Sequence, residues 1–263
     1  MLGPIRVIRD GDDLAVAGTL QRRLLAVLVA RAGTLVPVDV LTETLWPGGT
    51  DSAGPQRLQV HVHRMRRLLG EPERIAFEEN AYRLRVSSGE VDAERFDTLI
   101  ASAARVAGAD PEQSAELAGR ALDLWRGLPF GDLDVPVLAD AARRFTERRL
   151  TAIELWYDAE IRCGRHAALI AELTELVGAH PLRERLCGLL MTALYRDGRQ
   201  AEALEAYRRT RRTLVDELGL EPGTDLRAIE QRVLAGEPIG PTPPPGTAPP
   251  PGSTPPPGST PPP

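Results

Sequence analysis

The hydrophobic pattern changes period along the chain, and the changes divide it. Short stretches at 6–9 and 13–17, on either side of the turn Asp10-Gly11-Asp12, predict two strands. From residue 20 the spacing lengthens. Leu20, Leu24, Leu25 and Leu28 recur at helical intervals and predict a helix over 20–29, with a break at Gly33. A shorter helix is predicted over 38–46, stopped by Pro47-Gly48-Gly49. A third is predicted over 55–69, with Pro55 in its first turn and Gly70 closing it. Strands follow at 74–77 and 82–86. In the second, Tyr82, Leu84 and Val86 alternate with Arg83 and Arg85, as in a half-buried strand. Strands, three helices and a hairpin, in that order, predict a winged helix over residues 1–90.

Beyond Val91 the period is helical almost without interruption. Gly164-Arg165-His166-Ala167 recurs 34 residues later as Gly198-Arg199-Gln200-Ala201, and Ile170 corresponds to Leu204. That is the tetratricopeptide period, in which each helix pair buries its apolar face only against its neighbours. Two matched units are too few for such an array, so the helices between 92 and 155 are expected to supply the rest. The all-helical domain is therefore assigned to 91–236. The remainder, 237–263, carries PPPGST repeated every six residues and no aliphatic residue larger than Ala after Ile239. It cannot bury enough apolar surface to fold and is expected to be a disordered, semi-rigid spacer, with an SH3-type ligand as the alternative.

Charge narrows the partners. The chain has 32 basic residues, all of them Arg, against 37 acidic ones, a formal charge of -5. Residues 1–90 carry 12 Arg and 11 acids, residues 91–263 carry 20 and 26, so any nucleic-acid footprint must be local. Cys163 and Cys187 lie in helical stretches and are expected to be buried, reduced packing residues. No apolar run reaches the ~18 residues of a membrane span, and the N-terminus has no signal-peptide pattern. A cytoplasmic protein with no membrane partner is expected.

The helix predicted over 55–69 concentrates the chemistry. Leu58, Val62, Met65 and Leu69 share one side, the core face, while Gln56, Arg57, Val60, His63, Arg64 and Arg67 share the other. No acidic residue lies between Ser52 and Gly70. Reading a major groove calls for this set: Arg forks onto guanine, Gln pairs with adenine, and an aliphatic side chain meets a thymine methyl. The ordinary alternative is a solvated basic face. Val60 in the middle of the polar side, and a short helix before and hairpin after, favour the recognition helix. On the wing, Arg83 and Arg85 face outward and could meet phosphates or the minor groove, although Glu78 and Glu79 near the tip would oppose this, and an ordinary polar hairpin explains them equally well. His61 and His63, two apart on a helix, diverge and make a poor metal pair. No P-loop, G-x-S-x-G or H-E-x-x-H occurs, so neither enzymatic activity nor a cofactor is expected. The expected fold class is thus an α+β winged-helix DNA-binding domain, then an all-α tetratricopeptide-like domain and a disordered Pro-rich tail.

Collinear motifs extend this reading. They begin with Leu2-Gly3-Pro4, Leu45-Trp46, Leu58-Gln59-Val60-His61-Val62 and Arg64-Met65-Arg66-Arg67-Leu68-Leu69-Gly70. Val91-Asp92-Ala93-Glu94-Arg95-Phe96, Leu122-Asp123-Leu124-Trp125-Arg126-Gly127 and His180-Pro181-Leu182-Arg183-Glu184-Arg185-Leu186 follow, with Leu190-Met191-Thr192-Ala193-Leu194-Tyr195-Arg196 and Glu217-Leu218-Gly219-Leu220-Glu221-Pro222-Gly223 further on. With these the chain, from Leu2 to about Leu234, resembles the SARP-type regulators of antibiotic and secondary-metabolite genes in actinobacteria, which join an OmpR-type winged helix to a bacterial transcriptional activation domain. The resemblance implies double-stranded promoter DNA as partner, bound at direct repeats near the -35 element by side-by-side dimers, with contact to RNA polymerase and its sigma factor. It implies DNA contacts at Gln59, Val60, His63, Arg64 and Arg66, with Arg67 close by, and a polymerase-facing loop at Pro47, Gly48, Gly49, Thr50, Asp51 and Ser52. Where the family's wing usually has Gly before its Tyr, this chain has Asn80-Ala81-Tyr82. The competing class is a tetratricopeptide protein-interaction adaptor whose winged helix does not read DNA. The acid-free face of 55–69 argues against it.

Overall fold

A computed structural model describes residues 1–48, 54–131 and 133–239. The N-terminal part opens with an antiparallel hairpin, β1 (Val7–Arg9) and β2 (Asp12–Leu14), closed by Asp10 and Gly11 at positive φ. It continues with α1 (Thr19–Ala30), a two-residue strand β3 (Val36–Pro37), α2 (Val38–Leu45) and α3 (Gly54–Leu69). A 3-10 turn at Pro72–Arg74 leads into β4 (Ile75–Glu78) and β5 (Ala81–Leu84), in a sheet of order β3-β5-β4. This is a winged helix, and its three helices fall where the periodicity predicts them. The second strand is shorter than the predicted 13–17, and β3 is an element that no two-residue pattern could announce.

The wing turn forms without the family's glycine. Glu79 and Asn80 take φ of 49° and 58°, both left-handed, so they close β4 onto β5 with Glu78 opposite Ala81. Two consecutive left-handed residues suit the twist of a two-residue hairpin, and Asn enters that region at less cost than most side chains.

The second part is helical: α4 (Asp92–Val106), α5 (Pro111–Leu122), α6 (Ala139–Arg162), α7 (Ile170–Ala179), α8 (Glu184–Arg196), α9 (Gln200–Leu218) and α10 (Thr224–Ala235). The 34-residue repeat is a repeat of structure. At the end of α6, the amides of Cys163, Gly164 and Arg165 donate to the carbonyls of Ala159, Ile161 and Glu160. At the end of α8, Asp197, Gly198 and Arg199 donate to Ala193, Tyr195 and Leu194, each partner displaced by 34 positions. Gly164 and Gly198 hold φ of 84° and 78° in these turns. Cys187 is buried and Cys163 half-buried, both are free, and burial pushes each thiol up to about 11. The expected spacer, 237–263, starts later than predicted: Ile239 is buried in the core of the helical domain and its carbonyl accepts from Arg196 at 2.8 Å, because an aliphatic side chain there still finds apolar cover, while residues 240–263 lie outside the described residues.

The core of the winged helix is not completed by residues 1–90. Leu24 to Leu28 of α1 are all buried, five in a row, which a helix packed on one side cannot achieve. One flank of α1 meets Leu41, Leu58, Val62 and Met65 together with Ile75 and Leu84 of the sheet. The same cluster continues into Phe130, Val135 and Leu138: the 3-10 turn Pro136–Leu138 lies against α1, and Phe145 of α6 packs beside Phe130 with ring centroids 5.9 Å apart. The N-terminal segment ties the parts further. The backbone amide of Arg126 donates to the Leu2 carbonyl at 2.7 Å, that of Phe130 to Met1 at 2.9 Å, and the Asp92 carboxylate accepts from Leu2 N at 3.1 Å and from Arg126 at 3.0 Å. Gly3 is needed there because a Cβ would lie 2.9 Å from Cβ of Arg126. Two motifs far apart in sequence, Leu2-Gly3-Pro4 and Trp125-Arg126-Gly127, are thus in contact.

Phe130 is 1% exposed within a core otherwise built mainly from residues 1–90. Phe130→Ala is expected to cost about 3–5 kcal/mol and to reduce hydrogen-exchange protection in α1. Unchanged protection of α1 would mean that the two parts are energetically separate.

Candidate nucleic-acid interface

α3 is held by its apolar side. Leu58, Val62 and Met65 are buried at 1% exposure or less, and Leu69 is half-buried at the end. Its first residue approaches α2 so closely that a Cβ on Gly54 would stand 2.6 Å from Cγ2 of Thr42. At the other end, the Arg9 guanidinium donates to the Leu68 carbonyl at 3.2 Å. A cation there satisfies a terminal carbonyl and complements the helix dipole. The first hairpin therefore steadies the end of α3.

The opposite side is open. Gln56, Arg57, Gln59, Val60, His63, Arg64 and Arg67 are all exposed, Val60 at 51%. Arg64 and Arg67 make no ion pair among the described residues. Arg66 differs. It is half-buried, and its Nε and Nη2 donate to the Ile75 carbonyl at 3.0 and 2.5 Å, fastening α3 to β4. The resemblance places Arg66 among the DNA contacts. Here its guanidinium is turned inward, onto the hairpin.

His61 is also turned away from the open face. Its ring lies 5.7 Å from that of Trp46, just after α2, and burial together with the nearby Arg64 charge pushes its pKa down. Its role is to pack α2 on α3. Among the described residues no group of three His, Cys, Asp or Glu is placed to hold a metal, and no helix is long and apolar enough to cross a membrane.

On the wing, Arg85 is exposed and Arg83 half-buried, and both are paired with one carboxylate: Glu78 accepts from them at 3.1 and 2.9 Å. The sequence pattern missed Phe77. The alternation Ile75, Phe77 places it on the inner face, yet it is 52% exposed, with its ring 4.9 Å from that of Tyr82. In the loop after α2, the Gly48 amide donates to Glu43 at 3.1 Å, following Pro47. Gly49, Thr50, Asp51 and Ser52 lie outside the described residues.

A winged helix with an exposed, acid-free third helix, built onto stacked helical pairs, defines a class of two-part transcriptional regulators. Comparison agrees. The family model of the bacterial transcriptional activator domain matches residues 91–234. The regulatory protein AfsR of Streptomyces coelicolor is 40% identical over 241 residues, which cover 90% of this chain and 24% of AfsR. The transcriptional regulator RedD of the same species is 37% identical over 255 residues, covering 91% of this chain and 71% of RedD. A solved structure of Mycobacterium tuberculosis EmbR in complex with a low-affinity phosphopeptide superposes with a TM-score of 0.85 at 36% identity, over 91% of this chain and 65% of that one. The chain belongs to the SARP-type family of transcriptional regulators, and it spans about a quarter of the length of AfsR.

The His61 geometry carries a pH dependence. A base whose folded-state pKa lies below its ordinary 6.5 supports stability that is complete above pH 6.5 and is lost as the pH falls through 6.5 toward the folded-state value. His61→Phe keeps a ring against Trp46 and cannot take up the proton. The wild type is expected to lose more stability between pH 7.5 and pH 5 than this variant, read as the urea midpoint; identical losses would remove His61 as the cause.

Proposed function

We propose that this protein is a sequence-specific DNA-binding transcriptional activator of secondary-metabolite (antibiotic) biosynthesis genes. The observation that carries the reading is the open face of α3, where exposed Arg and Gln surround an exposed aliphatic residue, Val60, with no carboxylate on the helix. α3 lies in the major groove. Arg64, at the centre, reads a guanine, Gln56 and Gln59 meet base edges or phosphates, and Val60 meets a thymine methyl. His63, Arg57 and Arg67 complete the contact and fix its register through phosphates. Arg66 acts by holding the hairpin against α3. Arg83 and Arg85 reach the adjacent backbone once Glu78 releases them, a weaker contact than α3 makes.

The family reading supplies the assembly. Two protomers sit side by side on direct repeats near the -35 element, and the loop Pro47, Gly48, Gly49, Thr50, Asp51 and Ser52 faces RNA polymerase and its sigma factor. The first domain corresponds to residues 1–90, the second to 91–236, and 237–263 to a linker whose first residues dock on the second domain through Ile239. A near-neutral winged helix gains little from long-range attraction. Filling a second repeat at high effective concentration then raises affinity without new base contacts.

Arg64→Ala is expected to weaken operator binding by about 1–3 kcal/mol, the worth of a bidentate base contact, with melting unchanged. Arg66→Ala is expected to lower the melting temperature instead. Titrations at one salt concentration, on one-repeat and two-repeat probes, provide the measurement. A folded Arg64→Ala protein with wild-type affinity for both probes would overturn the recognition face.

A further inference from the structure

We infer that the cavity where the first hairpin, α1, the end of α3 and the start of α4 meet is a binding site for an amphipathic organic anion, an aliphatic body carrying one acidic head. The cavity has a volume of about 590 Å³, within the ~300–1,000 Å³ range of small-molecule sites, which favour junctions of this kind. Its floor is apolar. Ile5, Leu25 and Leu84 line it from within the core, while Val29, Leu69 and Leu124 are half-buried side chains that keep part of their surface available to an occupant.

The lip is cationic. Six arginines line the cavity against four carboxylates. Four of the six are matched: Arg74 by Glu71 and Glu90, Arg126 by Asp92, and Arg6 and Arg85 by Asp13 and Glu78, which stand outside the lining. Two arginines are left weakly matched or unmatched among the described residues. Arg95 is exposed and makes no ion pair among the described residues, and the only carboxylate near Arg9 is that of Asp10, at 4.0 Å and itself exposed. An apolar floor accepts a hydrocarbon chain. The guanidinium groups of Arg9 and Arg95 at the opening accept a carboxylate or sulfate and disfavour a cation of the same length. An anion seated there meets Arg9, the residue that also holds the last turn of α3 through Leu68. The assignment is independent of DNA recognition, and its test contains no DNA.

The test is calorimetric titration of the full chain with sodium decanoate below its micelle concentration, with decyltrimethylammonium as the cationic control. Arg95→Glu, at an exposed position, reverses one lip charge, and Leu124→Trp fills the floor; melting curves establish that each variant is folded. The expected result is saturable binding of one decanoate per chain, roughly tenfold or more weaker in each folded variant, and no binding of the cation. If Leu124→Trp does not fold, Arg95→Glu decides alone. Absence of saturable decanoate binding, wild-type affinity in folded Arg95→Glu, or equal binding of the cation would overturn the assignment.

Discussion

The burial of α1 from two sides is the contact on which the placement of everything else depends. Its run Leu24 to Leu28 presents apolar surface around the whole helix. Each large side chain of this kind contributes about 1.5–3 kcal/mol when fully buried. α2, α3 and the sheet cover one flank, and the same cluster continues into Phe130, Val135 and Leu138, with the 3-10 turn Pro136–Leu138 against α1. The winged helix and the helical domain therefore share a core. Because α3 packs on α1, its open face has a fixed orientation relative to the helical pairs. The Leu2-Gly3-Pro4 segment, threaded between Arg126 and Phe130, closes the same junction with backbone hydrogen bonds.

Division of labour among the arginines follows from this framework. In a chain of net charge -5, the proposed contact with DNA cannot rest on overall attraction. It rests on where individual guanidinium groups point. Arg9 and Arg66 face carbonyls of the protein and set the position of α3 against the two hairpins. Arg64 and Arg67 project from the same helix without an acidic partner among the described residues. Arg83 and Arg85 stand between these cases, held by Glu78.

Most of the fold was legible because its signals are local and periodic. The core stripe Leu58, Val62, Met65 of α3 and the Gly164 and Gly198 turns are such signals, and all appear where the pattern puts them. The open face of α3 was equally legible, because exposure is the complement of that stripe. What escaped depends on contacts distant in sequence. Arg66 reads as a surface cation until the Ile75 carbonyl is placed beside it. Phe77 shares the parity of the buried Ile75, but its ring lies against Tyr82 on the opposite strand and stays half exposed. β3 exists only because Val36 finds Tyr82, 46 positions later. The shared core had one sequence signal, the uninterrupted apolar run in α1, which calls for cover on every side without naming Phe130 as its source.

The claim at the centre of this account is that the open face of α3 is the surface that meets DNA. Val60, at 51% exposure, reports on that face without carrying charge. The most direct measurement is the rate of thiol labelling of Val60→Cys in the full chain, free and saturated with a promoter fragment recovered by genome-wide footprinting. Leu182→Cys, at 40% exposure in the helical domain, serves as the reference. Promoter DNA is expected to suppress labelling at position 60 and to leave position 182 unchanged. Equal labelling of position 60 in the free and saturated states would contradict it.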